Sequence, residues 1–134
     1  MARFDTQIDG VQYISTVGSA VSTPPIPAWR STLTGDWNAG VWGVTVSQLY
    51  SSGYTDQLPG PDGTPRRVAA TSTWDLQGRY AGFAGWSLAV GIRNVFDRDP
   101  PSSNQIRTAQ LGYNPQLSSP LGRAYYLRAV WASR

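Results

Sequence analysis

Few side chains in this sequence are of the types that perform catalysis or bind metals. Asp97 and Asp99 flank Arg98 in NVFDRDPP, a spacing that an acid–base pair or a metal site could use. An Asp in such a segment also accepts hydrogen bonds from nearby backbone amides, and Pro100 directs the chain, so we interpret the segment as a turn. Histidine and cysteine are absent, which removes the commonest catalytic base and all thiolate chemistry. The sequence predicts no enzyme, no cofactor and no metal site.

A second polar group lies on two strand-like segments, 73–80 and 86–94. Asp75, Arg79 and Arg93 fall on the same side of these segments, because side chains alternate along a strand. The expected pairing places Asp75 diagonally across from Arg93, within side-chain reach. Two interpretations stay open: a polar ladder that contacts a ligand, and an internal ion pair, which we favour. An exposed pair would stabilise the fold by about 1 kcal/mol or less.

Two tyrosines are the remaining candidates for ligand contact. Tyr54 lies in YSSGYTDQ and Tyr113 lies in LGYNPQ, both in turn-rich segments. Each could touch a ligand or be an aromatic residue at the border between apolar and polar surroundings. The Gly and Asp residues of GPDGTP (60–65) have turn chemistry, and no helix follows that would complete a phosphate site.

The composition of the whole chain is that of strands joined by turns. Every basic residue is Arg and every acidic residue is Asp, so the helix formers Lys and Glu are missing. Fourteen Gly, ten Pro, six Trp and seven Tyr favour strands and turns. The net charge of +3 comes from scattered Arg residues, which predicts no nucleic-acid partner. No apolar run is long enough for a membrane-spanning helix. We expect one all-β domain over residues 1–134.

The strand pattern predicts an antiparallel meander of five to six strands with short and long connections alternating. Short turns are expected at 38–41 and 81–85, and they would place Trp37 opposite Trp42 and Tyr80 opposite Trp86. The predicted strands are 3–8 (the tail of a sixth strand), 29–37, 42–50, 73–80, 86–94 and 122–134. The predicted long loops are 9–27, 51–68 and 97–121.

Aromatic residues mark both ends of the apolar side of these strands, and small aliphatic residues lie between them. A soluble sandwich, the alternative, would normally place its largest side chains in the middle. Strands of about nine residues, tilted by about 40°, cover close to 20 Å, near the apolar band of an outer-membrane barrel. The pattern therefore favours a transmembrane β-barrel. The predicted aromatic girdle is Trp29, Trp37, Trp42, Tyr50, Trp74, Tyr80, Trp86, Tyr125 and Trp131.

Several segments resemble the carboxy-terminal end of TonB-dependent outer-membrane receptors. They are GWSLAVGIRNVFDRDPPSSNQ (85–105) and LGYNPQLSSPLGRAYYLRAVW (111–131), and PAWRSTLTGDW, YSSGYTDQ and RRVAATSTWDLQGRY resemble the preceding strands and loops. The resemblance implies a 22-stranded barrel around an amino-terminal plug. It also implies energy supplied through TonB and import of siderophores, cobalamin, haem, sugars or other scarce nutrients.

In such a receptor, the turns at 38–41 and 81–85 would be periplasmic, and the loops 51–68 and 97–121 would help form the external vestibule. The polar ladder would face the lumen. The implied location is the outer membrane, and the implied partners are outer-membrane lipid, the remaining barrel and plug, and TonB.

Two departures from the family pattern shape the expected role of the chain. Its strands are too few to close so large a barrel, the plug is missing, and the chain ends WASR where the family usually ends on an aromatic residue. We therefore expect a carboxy-terminal barrel fragment whose function belongs to the complete receptor. The alternative is a soluble β-sheet binding module without transport activity, with its apolar faces buried against each other or a second copy.

Overall fold

The computed structural model describes residues 5–8, 12–15, 27–106, 109 and 111–132. Every regular element within these ranges is a strand, which confirms the all-β prediction. The described residues contain no helix that is long and apolar enough to cross a membrane. The strands are β1 (Asp5–Ile8), β2 (Gln12–Ser15), β3 (Arg30–Ala39), β4 (Trp42–Ser51), β5 (Tyr54–Thr55), β6 (Arg67–Val68), β7 (Thr71–Tyr80), β8 (Trp86–Arg93), β9 (Ser102–Ser103), β10 (Gly112–Tyr113) and β11 (Ala124–Trp131).

Two compact units divide the chain. The sheet unit contains the described residues of Ser31–Tyr50, Ser72–Asp99 and Leu121–Arg134, and the loop unit contains those of Met1–Arg30, Ser51–Thr71 and Pro100–Pro120. The main sheet has five strands in the order β11-β8-β7-β4-β3, so strands that follow one another in the chain lie side by side. This is the predicted antiparallel meander, with five strands.

The predicted sixth strand is present at Asp5–Ile8 but lies outside the main sheet. Residues Asp5–Ile8 pair with Gln12–Ser15 in a two-stranded sheet of their own and are not part of the main sheet. Residues 3, 4 and most of the predicted loop 9–27 lie outside the described residues. A strand at 12–15 close to β1 in sequence forms its hairpin locally, at a lower entropic cost than a distant pairing.

Both predicted hairpin registers are wrong by two residues. The first turn has two residues, Gly40 and Val41, instead of four, since β3 ends at Ala39 and β4 begins at Trp42. Gly40 has φ +58 and Val41 has no positive φ, the pattern of a type II′ turn, which fits the twist of a two-residue hairpin. Trp37 therefore faces Val44 rather than Trp42.

The second hairpin has a wider connection than predicted. Tyr80 pairs with Leu88 and not with Trp86, and Leu76 pairs with Ile92. The Trp86 N–H instead donates to Phe83 O at 3.0 Å, inside the connection. Because each register error is two residues, every side chain stays on its predicted face.

The loop unit folds around a small core made from segments predicted to be loops. β5 pairs with β6, and the opposed residues Tyr54 and Val68 are both buried, at 4% and 2% exposure. Leu117 packs against them. β9 pairs with β10, with Ser103 opposite Gly112. The segments 51–68 and 97–121 are thus ordered in part by strand pairing and by burial.

Candidate functional site

One face of the main sheet is apolar and exposed, and we call it the apolar face. It is formed by alternate residues of each strand, including Leu76, Val90 and Leu127. Val90 is 57% exposed and Leu127 is 73% exposed, far more than core residues would be. A continuous exposed surface of this kind marks a site of contact with lipid or with another protein.

The predicted girdle residues of the sheet unit lie on this face. At the end with the turns, the rings of Trp42 and Tyr80 are 4.5 Å apart, and Phe83 packs edge-on against Tyr80 at 5.2 Å. Toward this end also lie Trp37, Trp86 and its register partner Trp131; Tyr50, Trp74 and Tyr125 lie toward the other end. Trp29 belongs to the loop unit, where it is exposed and its N–H donates to Ser52 Oγ at 3.0 Å.

The apolar face also contains a groove of about 700 Å³. Its lining residues include Val44, Leu76, Gly78, Val90 and Leu127, and none of them is charged. Gly78 pairs with Val90 on the neighbouring strand. Tyr125 also lines the groove, which therefore extends from the middle of the strands to one aromatic end.

The opposite face of the sheet is polar, and we call it the polar face. Thr34 and Ser47 share a hydrogen bond of 3.2 Å, and Thr45 Oγ1 donates to Asp36 Oδ1 at 2.6 Å. Arg79 Nη2 donates to Asn38 Oδ1 at 3.1 Å. To reach it, the Arg79 side chain passes over the intervening strand.

Two glycines allow long side chains to cross the polar face. A Cβ at Gly43 would lie 3.3 Å from Arg79 Nε, and a Cβ at Gly91 would overlap the Tyr126 ring. The Tyr126 hydroxyl donates across Gly91 to Gln77 Oε1 at 2.8 Å. A larger residue at either position would therefore displace a neighbouring side chain, and glycine avoids this displacement.

The predicted ion pair between Asp75 and Arg93 does not form. Asp75 Oδ1 accepts a hydrogen bond from the backbone N–H of Asn94 at 2.9 Å. The Arg93 guanidinium lies over the Tyr126 ring, 5.7 Å from its centroid. Among the described residues, no carboxylate lies within 4.0 Å of Arg79 or Arg93. Asp75, Arg79 and Arg93 therefore lie on the same face but do not contact one another. The Asp75 carboxylate instead binds the backbone N–H of Asn94, where β8 ends.

The most buried polar cluster is in the loop unit and was not predicted from the sequence. Asp56 is 6% exposed, and its carboxylate accepts hydrogen bonds from Ser103 Oγ at 2.8 Å and from the N–H groups of Asn104 and Gln57 at 2.6 and 2.9 Å. Arg66 Nε lies 3.9 Å from Asp56 Oδ2. The carboxylate is thus surrounded by donors, as a buried charge requires.

Arg66 extends this cluster, which we call the Asp56 cluster, to the next segment of chain. Its guanidinium donates to Asn104 Oδ1 at 2.8 Å and to Ser102 Oγ at 2.6 Å. The hydrogen bonds join residues 36 to 48 positions apart in sequence. The cluster therefore ties the segment around β5 and β6 to the segment around β9.

The two candidate ligand-contact tyrosines have different surroundings. Tyr54 is buried, its side chain hydrogen-bonds to Ser103 and Asn114, and burial raises its pKa above the usual 10.0 despite these bonds. Tyr113 is half-buried in β10, and its carbonyl accepts from Gln105 Nε2 at 3.1 Å. The burial of Tyr54 favours a structural role in the loop-unit core.

The NVFDRDPP segment forms a turn held by its own side chains. Asn94 exchanges two hydrogen bonds of 2.9 Å with the backbone of Arg98, and Asn94 and Asp97 both have positive φ, 51 and 53. Asp97 Oδ1 accepts from the Arg123 N–H at 2.7 Å. These contacts agree with the interpretation of the segment as a turn.

The sequence alone did not predict the residues whose partners lie far away in the chain. The buried Asp56, Ser103 and Asn114 lie in polar stretches that resemble ordinary loops. One sequence pattern does coincide with the Asp56 cluster. The short strands β5 and β9 are each followed directly by an Asp-Gln or Asn-Gln pair, at 56–57 and 104–105.

Two findings complete the description of the site. The described residues contain no group of three or more side chains that could hold a metal ion. Comparison with known proteins yields no identification, because no protein-family model, no curated protein and no solved structure matches this chain.

Proposed function

We propose that this chain forms part of the barrel wall of a TonB-dependent outer-membrane receptor. The observation that carries the proposal is the exposed apolar face, with aliphatic side chains such as Val90 in the middle and aromatic side chains such as Trp42 toward the ends. Trp and Tyr prefer the two borders of a bilayer, and aliphatic residues prefer its interior. The polar face then lines the lumen.

The outer strands of the sheet support the same proposal. β3 and β11 are the first and last strands of the main sheet, so each leaves one row of backbone groups without a strand partner among the described residues. In a bilayer such groups must be paired, because no water is present to satisfy them. The remaining barrel strands would pair with both edges.

In the complete receptor, the proposed function is transport of a nutrient without a chemical reaction. A bulky nutrient, such as a siderophore, passes through the barrel when TonB acts on the plug. The segments 51–68 and 97–121 would contribute to the external vestibule, and the Asp56 cluster holds together the parts of these segments that it joins.

Flotation with vesicles of phosphatidylethanolamine and phosphatidylglycerol tests the proposal. The full chain is refolded with vesicles, centrifuged through a density gradient, and its tryptophan fluorescence is measured with brominated lipids. Because further copies of the chain can pair with the edges of β3 and β11, we expect it to float with the vesicles and its fluorescence to be quenched. A soluble monomer or dimer that does not bind the vesicles would reject this proposal in favour of a soluble binding module.

A further inference from the structure

The first strand of the main sheet, β3, has one edge without a strand partner among the described residues. All ten of its residues are exposed, and none of them is proline or lysine. A long edge strand of this kind is a template on which another extended chain can pair. The side chains of β3 then decide which chain fits the edge.

The turn after β3 determines which of its backbone groups are free. Because Gly40 and Val41 alone form the turn, Ala39 and Trp42 are the first hydrogen-bonded pair of the hairpin. The side-chain hydrogen bonds that join β3 to β4 fit this register. Every second residue counted back from Ala39 directs its N–H and C=O toward β4, and the residues between them direct these groups to the free edge. The residues of the second kind are Arg30, Thr32, Thr34, Asp36 and Asn38.

The free edge of β3 is complementary to itself in the antiparallel orientation. When two copies of RSTLTGD (30–36) are paired about Leu33, each Arg30 lies directly opposite the second copy's Asp36. Thr32 lies opposite Thr34, and the two Leu33 side chains face each other on the apolar face. In this register, residues with free backbone groups face one another, so the hydrogen bonds of a ladder can form.

The opposite edge of the sheet, β11, lacks this complementarity. Its charged residue is Arg128, and the strand contains no Asp. Antiparallel pairing of two copies near the middle of β11 would bring the two Arg128 side chains opposite or next to each other, and like charges in these positions destabilise a sheet. β3 instead has one charge of each sign, at Arg30 and Asp36. Charge complementarity therefore favours β3 as the edge at which two copies meet.

We infer that a second copy of this chain binds along β3, antiparallel and in the register that pairs Leu33 with Leu33. Two five-stranded sheets then join into one sheet with a continuous apolar face. Backbone hydrogen bonds hold the seam, and the two Arg30–Asp36 pairs select its register. The inference goes beyond the proposed function and needs no bilayer. In the complete receptor, the preceding barrel strand would take the same edge.

Cysteine cross-linking tests the register, since the chain has no cysteine of its own. Full chains carrying Leu33→Cys, Gly35→Cys or Leu127→Cys are refolded in dodecyl maltoside, oxidised with copper phenanthroline, and separated by electrophoresis without reductant. In the inferred register, the thiols of Leu33→Cys face each other, within the Cα separation of about 4.4–6.8 Å that a disulfide needs. Gly35 lies opposite the second copy's Ser31, so the thiols of Gly35→Cys are about 13 Å apart along the strands.

We expect Leu33→Cys to become mostly covalent dimer, and Gly35→Cys and Leu127→Cys to stay mostly monomeric. Gly35 is the matched control, because it is a β3 residue of the same face with nothing within 4 Å. Equal cross-linking of Leu33→Cys and Gly35→Cys would overturn the register. Cross-linking of Leu127→Cys alone would overturn the assignment of the interface to β3.

Exchange of the two charges tests the same seam without cysteine. Sedimentation equilibrium in dodecyl maltoside gives the Kd of the dimer for the unmodified chain, Arg30→Asp, Asp36→Arg and the chain with both changes. Arg30→Asp should weaken dimerisation about tenfold, because it places acidic side chains opposite each other at both ends of the register. The double exchange should restore the affinity, and Arg128→Asp on β11 is the control that should leave it unchanged.

A double exchange that binds no better than Arg30→Asp would overturn the charge pairing on which the register rests. An unmodified chain that stays monomeric but floats with vesicles would reject the inference and leave the proposed function standing. A chain that dimerises through Leu33→Cys but does not float would support the inference and reject the proposed function.

Discussion

The loop unit buries polar side chains, whereas the sheet unit exposes large apolar ones. In the loop unit, a charged carboxylate at Asp56 and the polar Ser103 and Asn114 are buried, and each is hydrogen-bonded. In the sheet unit, large apolar residues such as Leu127 and Trp131 are exposed. Within the described residues, the buried hydrophobic residues are Tyr54 and Val68, both in the loop unit.

This difference shows where each unit obtains its stability. The loop unit satisfies its buried polar groups with its own residues, so its structure should depend on those residues and little on the surroundings. The sheet unit leaves apolar area uncovered, and burying that area is the main favourable term in folding and association. Its stability should therefore depend on lipid or on another protein surface.

Removal of the Asp56 carboxylate should have the largest effect. Asp56→Ala leaves the Ser103 hydroxyl and the Asn104 N–H without their acceptor and removes the carboxylate that faces Arg66, so we expect a loss of about 3–5 kcal/mol. Hydrogen exchange at the amides of Gln57 and Asn104 measures the change. Asp62→Ala, which removes an exposed carboxylate that caps only Thr64, is the control. Unchanged protection in Asp56→Ala would contradict the description of the loop unit.

An arginine in the middle of the apolar face tests the dependence of the sheet on lipid. In a bilayer, Val90→Arg should cost about 2–4 kcal/mol, whereas Trp86→Arg, toward the end of the face, should cost about 1 kcal/mol or less. Unfolding in vesicles at increasing urea concentration measures both. A soluble sheet packed against a second sheet would instead show similar sensitivity at both positions.

Gly91→Ala probes close packing on the polar face. The added methyl group overlaps the Tyr126 ring, so the ring must move and its hydrogen bond to Gln77 breaks. We expect a loss of about 1–3 kcal/mol in the free energy of unfolding. Gly78→Ala is the matched control and should not destabilise the sheet. If Tyr126→Ala does not relieve the cost of Gly91→Ala, the clash is not its cause.

Tyr54→Phe should cost about 1 kcal/mol, because its hydroxyl hydrogen-bonds to Ser103 and Asn114. Since burial raises the pKa of Tyr54 above 10.0, its contribution is complete below pH 10.0 and is lost as the pH rises through the folded-state pKa. Denaturant unfolding at neutral pH and above pH 10.0 measures this loss. Tyr54→Phe should lack it, and the exposed control Tyr125→Phe should retain it.

Arg123→Gln should have the smallest effect. Its guanidinium lies 3.9 Å from Asp97, and both side chains are largely exposed, so the pair contributes about 0.5 kcal/mol or less. The turn should persist, because Asp97 Oδ1 accepts from the Arg123 backbone N–H, which the variant keeps. A thermal unfolding shift as large as that of Gly91→Ala would show that the pair matters more than its exposure indicates.

The sequence by itself determined the strands of the main sheet and the face on which each side chain lies. Alternation is a local property of an extended chain, so Val90 and Arg79 could be assigned to opposite faces without knowledge of any contact. The same local logic predicted turns near Gly40 and at Asp97. It did not determine register, because the length of a turn depends on which backbone conformation closes the hairpin.

Only the tertiary structure decided which distant residues meet. Asp56 and Ser103 are 47 residues apart, and the sequence around either residue does not predict their contact. The roles of the strand glycines were likewise not visible in the sequence. Gly91 is crossed by Tyr126 from the neighbouring strand β11, whereas a Cβ at Gly78 would make only an ordinary contact. Periodicity assigns a residue to a face, but a contact across the fold depends on how the whole chain closes, and this information is absent from any short segment.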